Sequence, residues 1–242
     1  MKWHLIDSGF NTGNYNMQFD LDLANNCKND EAFFRLYRWQ PFCISLGANQ
    51  SFDDINLQKA KDDGIDVVKR PTGGRAILHA EEWTYSFIYP MNYEYSPKEI
   101  YFKVSQALIK GLKFYNPIFS NSELEKAQPN FPQLLEEPSG VLCFASTAKN
   151  EVKFNNKKLI GSAQRKLNKS ILQNGSILCG TYHQKLADYL NVDERTKNIL
   201  HSELIEKTTE IETILNEKVD YEKLKNCLIE GFEIEWEINF DK

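Results

Sequence analysis

Two adjacent glycines, Gly73 and Gly74, lie between two predicted strands, and they constrain this chain more than any other feature of its sequence. Apolar residues over 65–69 predict the first strand, and aromatic residues at alternate positions over 83–89 predict the second. Glycine allows positive φ and lacks the Cβ that would keep a ligand away from the backbone. The sequence therefore predicts a loop between strands at which a bound molecule can lie against the main chain.

The side chains around this loop suit a negatively charged or polarised ligand. Arg70 and Arg75 flank the two glycines, and His79 follows in a short predicted strand. Arginine offers planar, permanently charged donors that match a carboxylate, a phosphate or a polarised carbonyl. A hairpin turn with solvated arginines is the alternative interpretation, and His79 also fits a structural role at the end of a strand. We interpret the segment as a binding site.

Composition excludes several classes of protein. Of the 242 residues, 41% are hydrophobic and 26% are charged, as in ordinary globular proteins. No apolar run is long enough for a signal peptide or a membrane helix, so we expect a cytoplasmic protein with no membrane partner. The net charge of −5 disfavours a general nucleic-acid-binding protein. The five cysteines are odd in number and widely spaced, which argues against a disulfide framework and a zinc site.

Hydrophobic periodicity predicts the α+β class, because strands gathered in hairpins are interrupted irregularly by helices. Helices are predicted over 14–26, 97–114 with Ser96 as N-cap, 181–190, 203–216 and 220–230. Strands are predicted over 3–6, 42–46, 65–69, 75–79, 83–89, 150–154, 158–166, 171–179 and 233–240. Asn155 and Asn156 predict a turn, since asparagine tolerates positive φ. We expect residues 1–242 to form one domain, with 181–242 as helices and a strand packed on the rest.

Cys143 is the cysteine whose setting most favours reactivity. It follows a proline-rich stretch over 129–140, whereas Cys43 lies between apolar residues. A free cysteine is usually a small buried hydrophobic residue, and that interpretation suits the other four. A thiolate becomes a strong nucleophile when a nearby cation lowers the pKa of the thiol. Lys158 follows 15 residues later and is a candidate for that cation, although most lysines are surface residues.

Four segments that follow one another along the chain resemble the lipoate/biotin protein ligase and octanoyltransferase superfamily. They are 36–41 with 45–50, the glycine loop at 70–79, the lysine-containing segment 158–164, and 173–178. Together they span most of residues 36–178. The resemblance implies a central mixed or antiparallel sheet flanked by helices, as in lipoate/biotin ligase catalytic domains, with the acyl site across the sheet edge.

The resemblance also implies roles for individual residues. Cys143 matches the cysteine that forms an acyl thioester in one branch of the octanoyltransferases, shortly before the lysine signature. Lys158 matches the lysine that contacts the acyl carbonyl or the activated intermediate. The other matched positions are implied to bind substrate, and they are Arg70, Gly73, Gly74, Arg75, His79, Gly161, Ser162 and Ala163. For His79 the match implies a pocket wall or a general base. No cofactor or metal is implied.

Cys143 and the short C-terminal part favour a transferase over a ligase. A transferase starts from an activated thioester and needs a nucleophile, whereas a ligase activates a free acid with ATP. The resemblance implies N-octanoyl transfer in lipoate biosynthesis, from octanoyl-acyl carrier protein to a lysine of lipoyl domains or of the glycine-cleavage H protein. Three alternatives stay open, namely an ATP-dependent lipoate–protein ligase, an octanoyl amidotransferase that takes octanoyl from H protein, and a non-catalytic acyl-binding relative.

Charge is unevenly distributed along the chain. From Lys149 to Lys169 there are seven basic residues and one acidic residue, Glu151. A solvated basic hairpin is the common explanation of such a segment. Because the implied protein partners are typically acidic, electrostatic docking of a carrier is the functional interpretation.

Overall fold

The largest element of the fold is a mixed sheet of seven strands. The structure is a computed structural model that describes residues 1–91, 93–126 and 149–241. The strands in chain order are β1 (Lys2–Asn11), β2 (Glu31–Trp39), β3 (Cys43–Leu46), β4 (Asp66–Lys69), β5 (Ile77–His79), β6 (Glu82–Pro90), β7 (Ser122–Leu124), β8 (Val152–Phe154), β9 (Lys157–Lys166) and β10 (Ser170–Leu178). The seven-stranded sheet has the order β1-β2-β6-β10-β9-β8-β7. Only β1 and β2 pair in parallel among its described neighbours.

A second, smaller sheet has the order β4-β3-β5. Its central strand β3 pairs in parallel with β4 and antiparallel with β5. The loop that carries Gly73 and Gly74 joins β4 to β5, the two edges of this sheet, so the predicted position of the loop between strands is confirmed. Asn155 and Asn156 both have positive φ, 48° and 64°, and form the turn between β8 and β9 as their sequence predicts.

Helices flank the large sheet. They are α1 (Gly13–Asn26), α2 (Leu57–Asp62), α3 (Pro97–Tyr115), α4 (Glu194–Lys207), α5 (Ile211–Leu215) and α6 (Tyr221–Trp236), with 3₁₀ turns at Phe52–Asp54, Pro117–Asn121 and Tyr182–Tyr189. Ser96 begins α3 by accepting a hydrogen bond from the backbone N–H of Glu99, whose carboxylate accepts from the N–H of Ser96. The predicted α+β class, with a mixed sheet between helices, is confirmed.

Helices α3 and α6 bury the main hydrophobic core against one face of the large sheet. The aromatic residues predicted to alternate in β6 supply Tyr85 and Phe87 to this core. The two helices cross where Gly111 meets Gly231, and a Cβ on Gly231 would lie 2.5 Å from the carbonyl oxygen of Ala107. The close backbone approach of α3 and α6 therefore requires glycine at this crossing.

The predicted strand at 233–240 is wrong, because Tyr221–Trp236 forms α6. Acidic and apolar residues alternate over 233–238, which gives a period of two. The buried residues follow the helical spacing instead, with Phe232 and Trp236 four positions apart against the core and Ile234 47% exposed. Packing of the helical face against the sheet decides the conformation over the local alternation.

The predicted helix at 203–216 is two helices, α4 and α5. The chain between them is extended, since the N–H of Thr209 donates to the carbonyl of Lys158 and Thr208 forms a bridge with that residue. This backbone pairing with β9 offsets the helical hydrogen bonds that are lost. The segment predicted as a helix at 181–190 is a 3₁₀ turn. Among the described helices, none has both the length and the apolar character to cross a membrane.

We expect Gly231→Ala to destabilise the fold. The gain in helix propensity is at most about 1 kcal/mol, while forcing the added carbon between two backbones costs about 1–3 kcal/mol. The unfolding midpoint in denaturant should fall, with a net loss of up to roughly 2 kcal/mol. Gly73→Ala is the matched control, because its Cβ would meet no atom within 4 Å. Equal stability of both variants would contradict this account of the helix crossing.

Candidate active site

A cavity lies between the large sheet and the small one, on the face of the large sheet opposite α3 and α6. Its walls come from β2, β6, β9 and β10 of the large sheet, from β3 and β5 of the small sheet, and from α1. The lining residues are Met17, Tyr37, Trp39, Ser45, Arg70, Ile77, His79, Thr84, Gly161, Ser162, Ala163, Asn174, Gly175 and Ser176. Successive side chains of a strand point to opposite faces of the sheet, so Thr84 faces the cavity while Tyr85 faces the helices.

The lysine-containing segment and the strand after it form one wall of the cavity. Gly161, Ser162 and Ala163 pair with Ser176, Gly175 and Asn174 across β9 and β10. A Cβ on Gly175 would lie 2.7 Å from the Tyr85 ring. Two of the four segments that carry the resemblance therefore meet as neighbouring strands, and a small residue is required where they meet.

Arg70 organises the glycine loop. Its guanidinium donates to the carbonyl of Ser45 at 2.8 Å, to that of Gly73 at 3.0 and 3.2 Å, and to that of Arg75 at 2.6 Å. Gly74 takes positive φ, 92°, and its carbonyl lies so close to Gly47 that any Cβ there would overlap it. The described contacts of Arg70 thus fold the loop over the cavity.

The predicted site residues of this loop differ in whether they line the cavity. Arg70 is buried and lines the cavity, whereas Gly73, Gly74 and Arg75 do not line it. The carbonyls of Gly73 and Arg75 are held by Arg70, and Gly74 is exposed. The loop is anchored to β10 by Thr72, whose hydroxyl donates to the Asn174 side chain at 2.9 Å.

His79 is buried in the cavity wall within a chain of hydrogen bonds. Its Nδ1 lies 2.8 Å from Oε1 of Glu82, and its Nε2 lies 2.6 Å from the hydroxyl of Ser45. The ring stacks on Trp39 with 4.2 Å between centroids. Glu82 is 1% exposed and accepts two further hydrogen bonds at the same oxygen, from Ser176 at 2.9 Å and from Thr84. Both nitrogens of His79 are therefore bonded within the wall.

Lys158 is buried beside the cavity wall, although it is not one of the lining residues. Its ammonium lies 2.9 Å from Glu151, and the other oxygen of that carboxylate accepts from the N–H of Ser162 at 2.9 Å. Lys157 is half-buried and donates to the carbonyl of Ile205 at 2.9 Å. The two adjacent lysines thus have different surroundings, and Glu151 connects Lys158 to the strand segment that faces the cavity.

Cys143 falls at 127–148, outside the described residues. The other four cysteines are free thiols. Burial raises the pKa of Cys27 to about 11 and raises the pKa of Cys43 and Cys179 well above the usual value of a thiol. Burial also raises the pKa of Cys227. None of these four thiols has the depressed pKa that makes a cysteine a good nucleophile at neutral pH.

Sequence reasoning missed several residues of the site. Ser45 lay in the predicted strand 42–46 and in a segment of the resemblance, but no site role was expected for it. Glu82, which bonds three residues of the cavity wall, lay next to a predicted strand. Met17 belongs to the apolar pattern of a predicted helix and signals core packing alone. No local pattern marks Glu82, because its partners His79, Thr84 and Ser176 come from three different strands.

The structure shows which of the seven basic residues at 149–169 are exposed to solvent. Lys158 pairs with Glu151, and Lys153 lies 2.9 Å from Glu125 and 3.9 Å from Glu123. The basic residues exposed to solvent are Lys149, Arg165, Lys166 and Lys169. Arg165 also donates to the carbonyl of Pro71 at 2.6 Å, next to the glycine loop. Exposed positive charge therefore remains at the β9–β10 hairpin, near one end of the cavity.

Within the described ranges, no group of three or more His, Cys, Asp or Glu side chains is arranged to hold a metal ion.

Solved structures of lipoate ligases share this fold. A bipartite lipoate protein ligase from Thermoplasma acidophilum has a TM-score of 0.77 at 20% identity, covering all of this chain and 86% of its own. A lipoate-protein ligase A bound with ATP has a TM-score of 0.75 at 19% identity, covering all of this chain and 88% of its own. At these identities the comparison shows the fold alone.

Curated sequences are more similar. The protein named Octanoyltransferase LipM from Staphylococcus aureus is 32% identical over 237 residues, covering 95% of this chain and 85% of its own length. The protein of the same name from Bacillus subtilis is 30% identical over 240 residues, covering 96% and 85%. The family model for the lipoyl protein ligase A/B catalytic domain matches residues 12–233. The chain is a member of the lipoyl protein ligase A/B catalytic domain family.

Proposed function

We propose that this protein is an N-octanoyltransferase of lipoate biosynthesis that works through an acyl thioester on Cys143. The observation that carries the proposal is the similarity, over about 95% of the chain, to proteins named octanoyltransferase. The ligases with the same fold are less than 25% identical, so they do not favour ATP-dependent ligation. The raised pKa of each of the other four thiols supports Cys143 as the nucleophile. We further propose that residues 1–242 act as one catalytic domain.

The proposed reaction has two half-reactions. The Cys143 thiolate attacks the octanoyl thioester of a carrier, a C–S bond forms to Cys143, the carrier's own C–S bond breaks, and the carrier thiolate takes a proton from water. The neutral amine of an acceptor lysine then attacks octanoyl-Cys143, loses one N–H proton, forms the amide and releases the Cys143 thiolate. Lys158 is the cation proposed to stabilise the thiolate and the oxyanion of each tetrahedral intermediate. The cavity between the two sheets is the proposed site of the octanoyl chain, whose burial contributes about 0.8 kcal/mol per methylene.

The donor proposed is octanoyl-acyl carrier protein, and the acceptors proposed are lipoyl domains or the glycine-cleavage H protein. Exposed positive charge at the β9–β10 hairpin supports docking of acidic carriers. The alternatives are transfer from H protein to lipoyl domains, ATP-dependent lipoate ligation and non-catalytic acyl binding. They differ in the donor, in the need for ATP and in the presence of a covalent intermediate, and these three properties can be measured separately.

Mixing the protein with octanoyl-acyl carrier protein in the absence of ATP should add one octanoyl group, visible by intact mass spectrometry. Cys143→Ser should remove the thioester adduct, because no other thiol is activated. Cys227→Ser is the matched control, since Cys227 is the only half-exposed thiol of the four described and should leave loading unchanged. An adduct that appears only with ATP and octanoate would establish the ligase instead.

Lys158→Ala should slow octanoyl transfer by about 10²–10³, the usual effect of removing a preorganised electrostatic contact. Lys157→Ala should have little effect, because Lys157 donates to a carbonyl at the surface. Transfer rates are compared under single-turnover conditions.

Removing Lys158 alone also leaves the buried Glu151 carboxylate without this cation. The double variant Lys158→Met with Glu151→Gln removes both charges and controls for that instability. It should stay folded and stay slow. A double variant that transfers at the wild-type rate would exclude Lys158 from catalysis.

Reversing the exposed cations Lys166→Glu and Lys169→Glu should lower kcat/KM several-fold for octanoyl-acyl carrier protein, and raised salt should narrow the difference from wild type. A small octanoyl thioester should react at the wild-type rate, because it has no acidic surface to steer. Lys113→Glu with Lys223→Glu is the charge-matched control, on the helices of the opposite face. Equal losses with carrier and small thioester would place these lysines in the site itself.

A further inference from the structure

Ser45, His79 and Glu82 form a hydrogen-bonded chain that runs from the cavity into the protein. Ser45 and His79 line the cavity, and Glu82 lies behind them. The distances are 2.6 Å from the Ser45 hydroxyl to Nε2 of His79 and 2.8 Å from Nδ1 of His79 to Glu82. All three side chains are at least 95% buried. In this order of groups the hydroxyl can pass a proton to the imidazole, and the carboxylate can stabilise the resulting imidazolium.

The hydrogens of this chain can be placed in one consistent way. Within the described part of the chain, Nε2 of His79 is the acceptor within reach of the Ser45 hydroxyl hydrogen, since the other partner of that oxygen is a guanidinium donor. Nε2 therefore accepts, and Nδ1–H donates to Glu82. Glu82 is fixed as the acceptor, because Ser176 and Thr84 donate to the same oxygen. In this arrangement the Nε2 lone pair of His79 is the group that can take a proton by way of Ser45.

Two contacts hold this arrangement in place. The guanidinium of Arg70 donates to the Ser45 oxygen at 3.1 Å, which stabilises negative charge that develops there. Trp39 stacks on the His79 ring with 16° between the planes and fixes its orientation. A hydroxyl oxygen has two acceptor lone pairs, so Ser45 can accept one further hydrogen from a molecule in the cavity.

We propose that Ser45, His79 and Glu82 form a proton relay for the second half-reaction, an inference that rests on the proposed acyl-Cys143. As the acceptor amine attacks the thioester carbon, the N–C bond forms and one N–H proton passes to the Ser45 oxygen. The Ser45 proton passes to Nε2 of His79, and Glu82 stabilises the imidazolium. The C–S bond then breaks, Cys143 leaves as the thiolate that the next acylation uses, and His79 gives up its proton through Ser45 to water. Ser45 is the catalytic residue of the relay, and His79 and Glu82 act through it.

The relay affects the two half-reactions differently. Acylation of Cys143 needs a thiolate, which a nearby cation stabilises without a base. Amide formation needs a base, because the attacking nitrogen must lose a proton before the product is neutral. General-base catalysis contributes about 10²–10⁴ in rate. Loss of the relay should therefore slow the second step selectively, whereas a damaged fold slows both.

The experiment follows the two steps separately. Acylation is measured by intact mass spectrometry after rapid mixing with octanoyl-acyl carrier protein, and transfer is measured by chasing the purified acyl-enzyme with a lipoyl domain. Ser45→Ala should slow the chase about 10²-fold and change acylation less than about twofold. Ser105→Ala is the matched control, a buried serine in α3 whose hydroxyl has no described partner, and it should leave both steps unchanged.

Glu82→Gln serves as the second variant if Ser45→Ala is unstable, because it keeps the shape of the side chain and removes its charge. It should also slow the chase more than the acylation. Equal slowing of both steps, or an unchanged chase in both variants, would overturn the relay. If wild-type protein forms no acyl adduct, the Cys143 thioester itself fails, and the relay fails with it.

Discussion

The hydrogen bonds of one guanidinium, that of Arg70, connect the parts that form the cavity. They reach β3 through Ser45 and hold the carbonyls of Gly73 and Arg75, so the loop between β4 and β5 closes over the large sheet. The site requires small residues at two further points of contact, Gly47 against the loop and Gly175 between β9 and the Tyr85 ring. A buried cation whose described acceptors include three backbone carbonyls thus fixes the loop over the cavity.

Two polar networks lie on either side of the strand pair β9–β10. One joins Lys158 to the Ser162 N–H through Glu151, and the other joins Ser45 to Glu82 through His79. Since buried polar groups are costly when unsatisfied, such networks fix side-chain positions more strictly than apolar packing does. In the proposed mechanism the Lys158 ammonium of the first network stabilises the oxyanion, and the Glu82 carboxylate of the second stabilises the imidazolium. The proposed mechanism thus assigns charge stabilisation and proton transfer to different networks.

Much of the fold was predictable from the sequence, because local signals agreed with the final packing. Ser96 with Glu99 marked the start of α3, and the aromatic alternation marked the face of β6 that meets the core. The prediction of a strand at 233–240 was wrong because packing of Phe232 and Trp236 against the core favours a helix. These contacts with α3 and the sheet are not visible in the local sequence. The break between α4 and α5 likewise depends on pairing with β9, between Thr208 and Lys158, which lie 50 positions apart in the sequence.

The site was only partly predictable. Motifs identified Arg70, His79 and 161–163, and all of them line one cavity. The same motifs included Gly73, Gly74 and Arg75, whose described role is to shape the loop. Ser45 and Glu82 have no local signature, because their chemistry arises from β3, β5 and β6 meeting in space. The central claim, that this cavity holds the octanoyl chain, is tested by photocrosslinking with an octanoyl thioester that carries a diazirine at its methyl end. We expect labelled peptides from the cavity walls around Trp39 or Asn174, and labelling confined to the surface cleft of α4 near Asn198 would contradict the account.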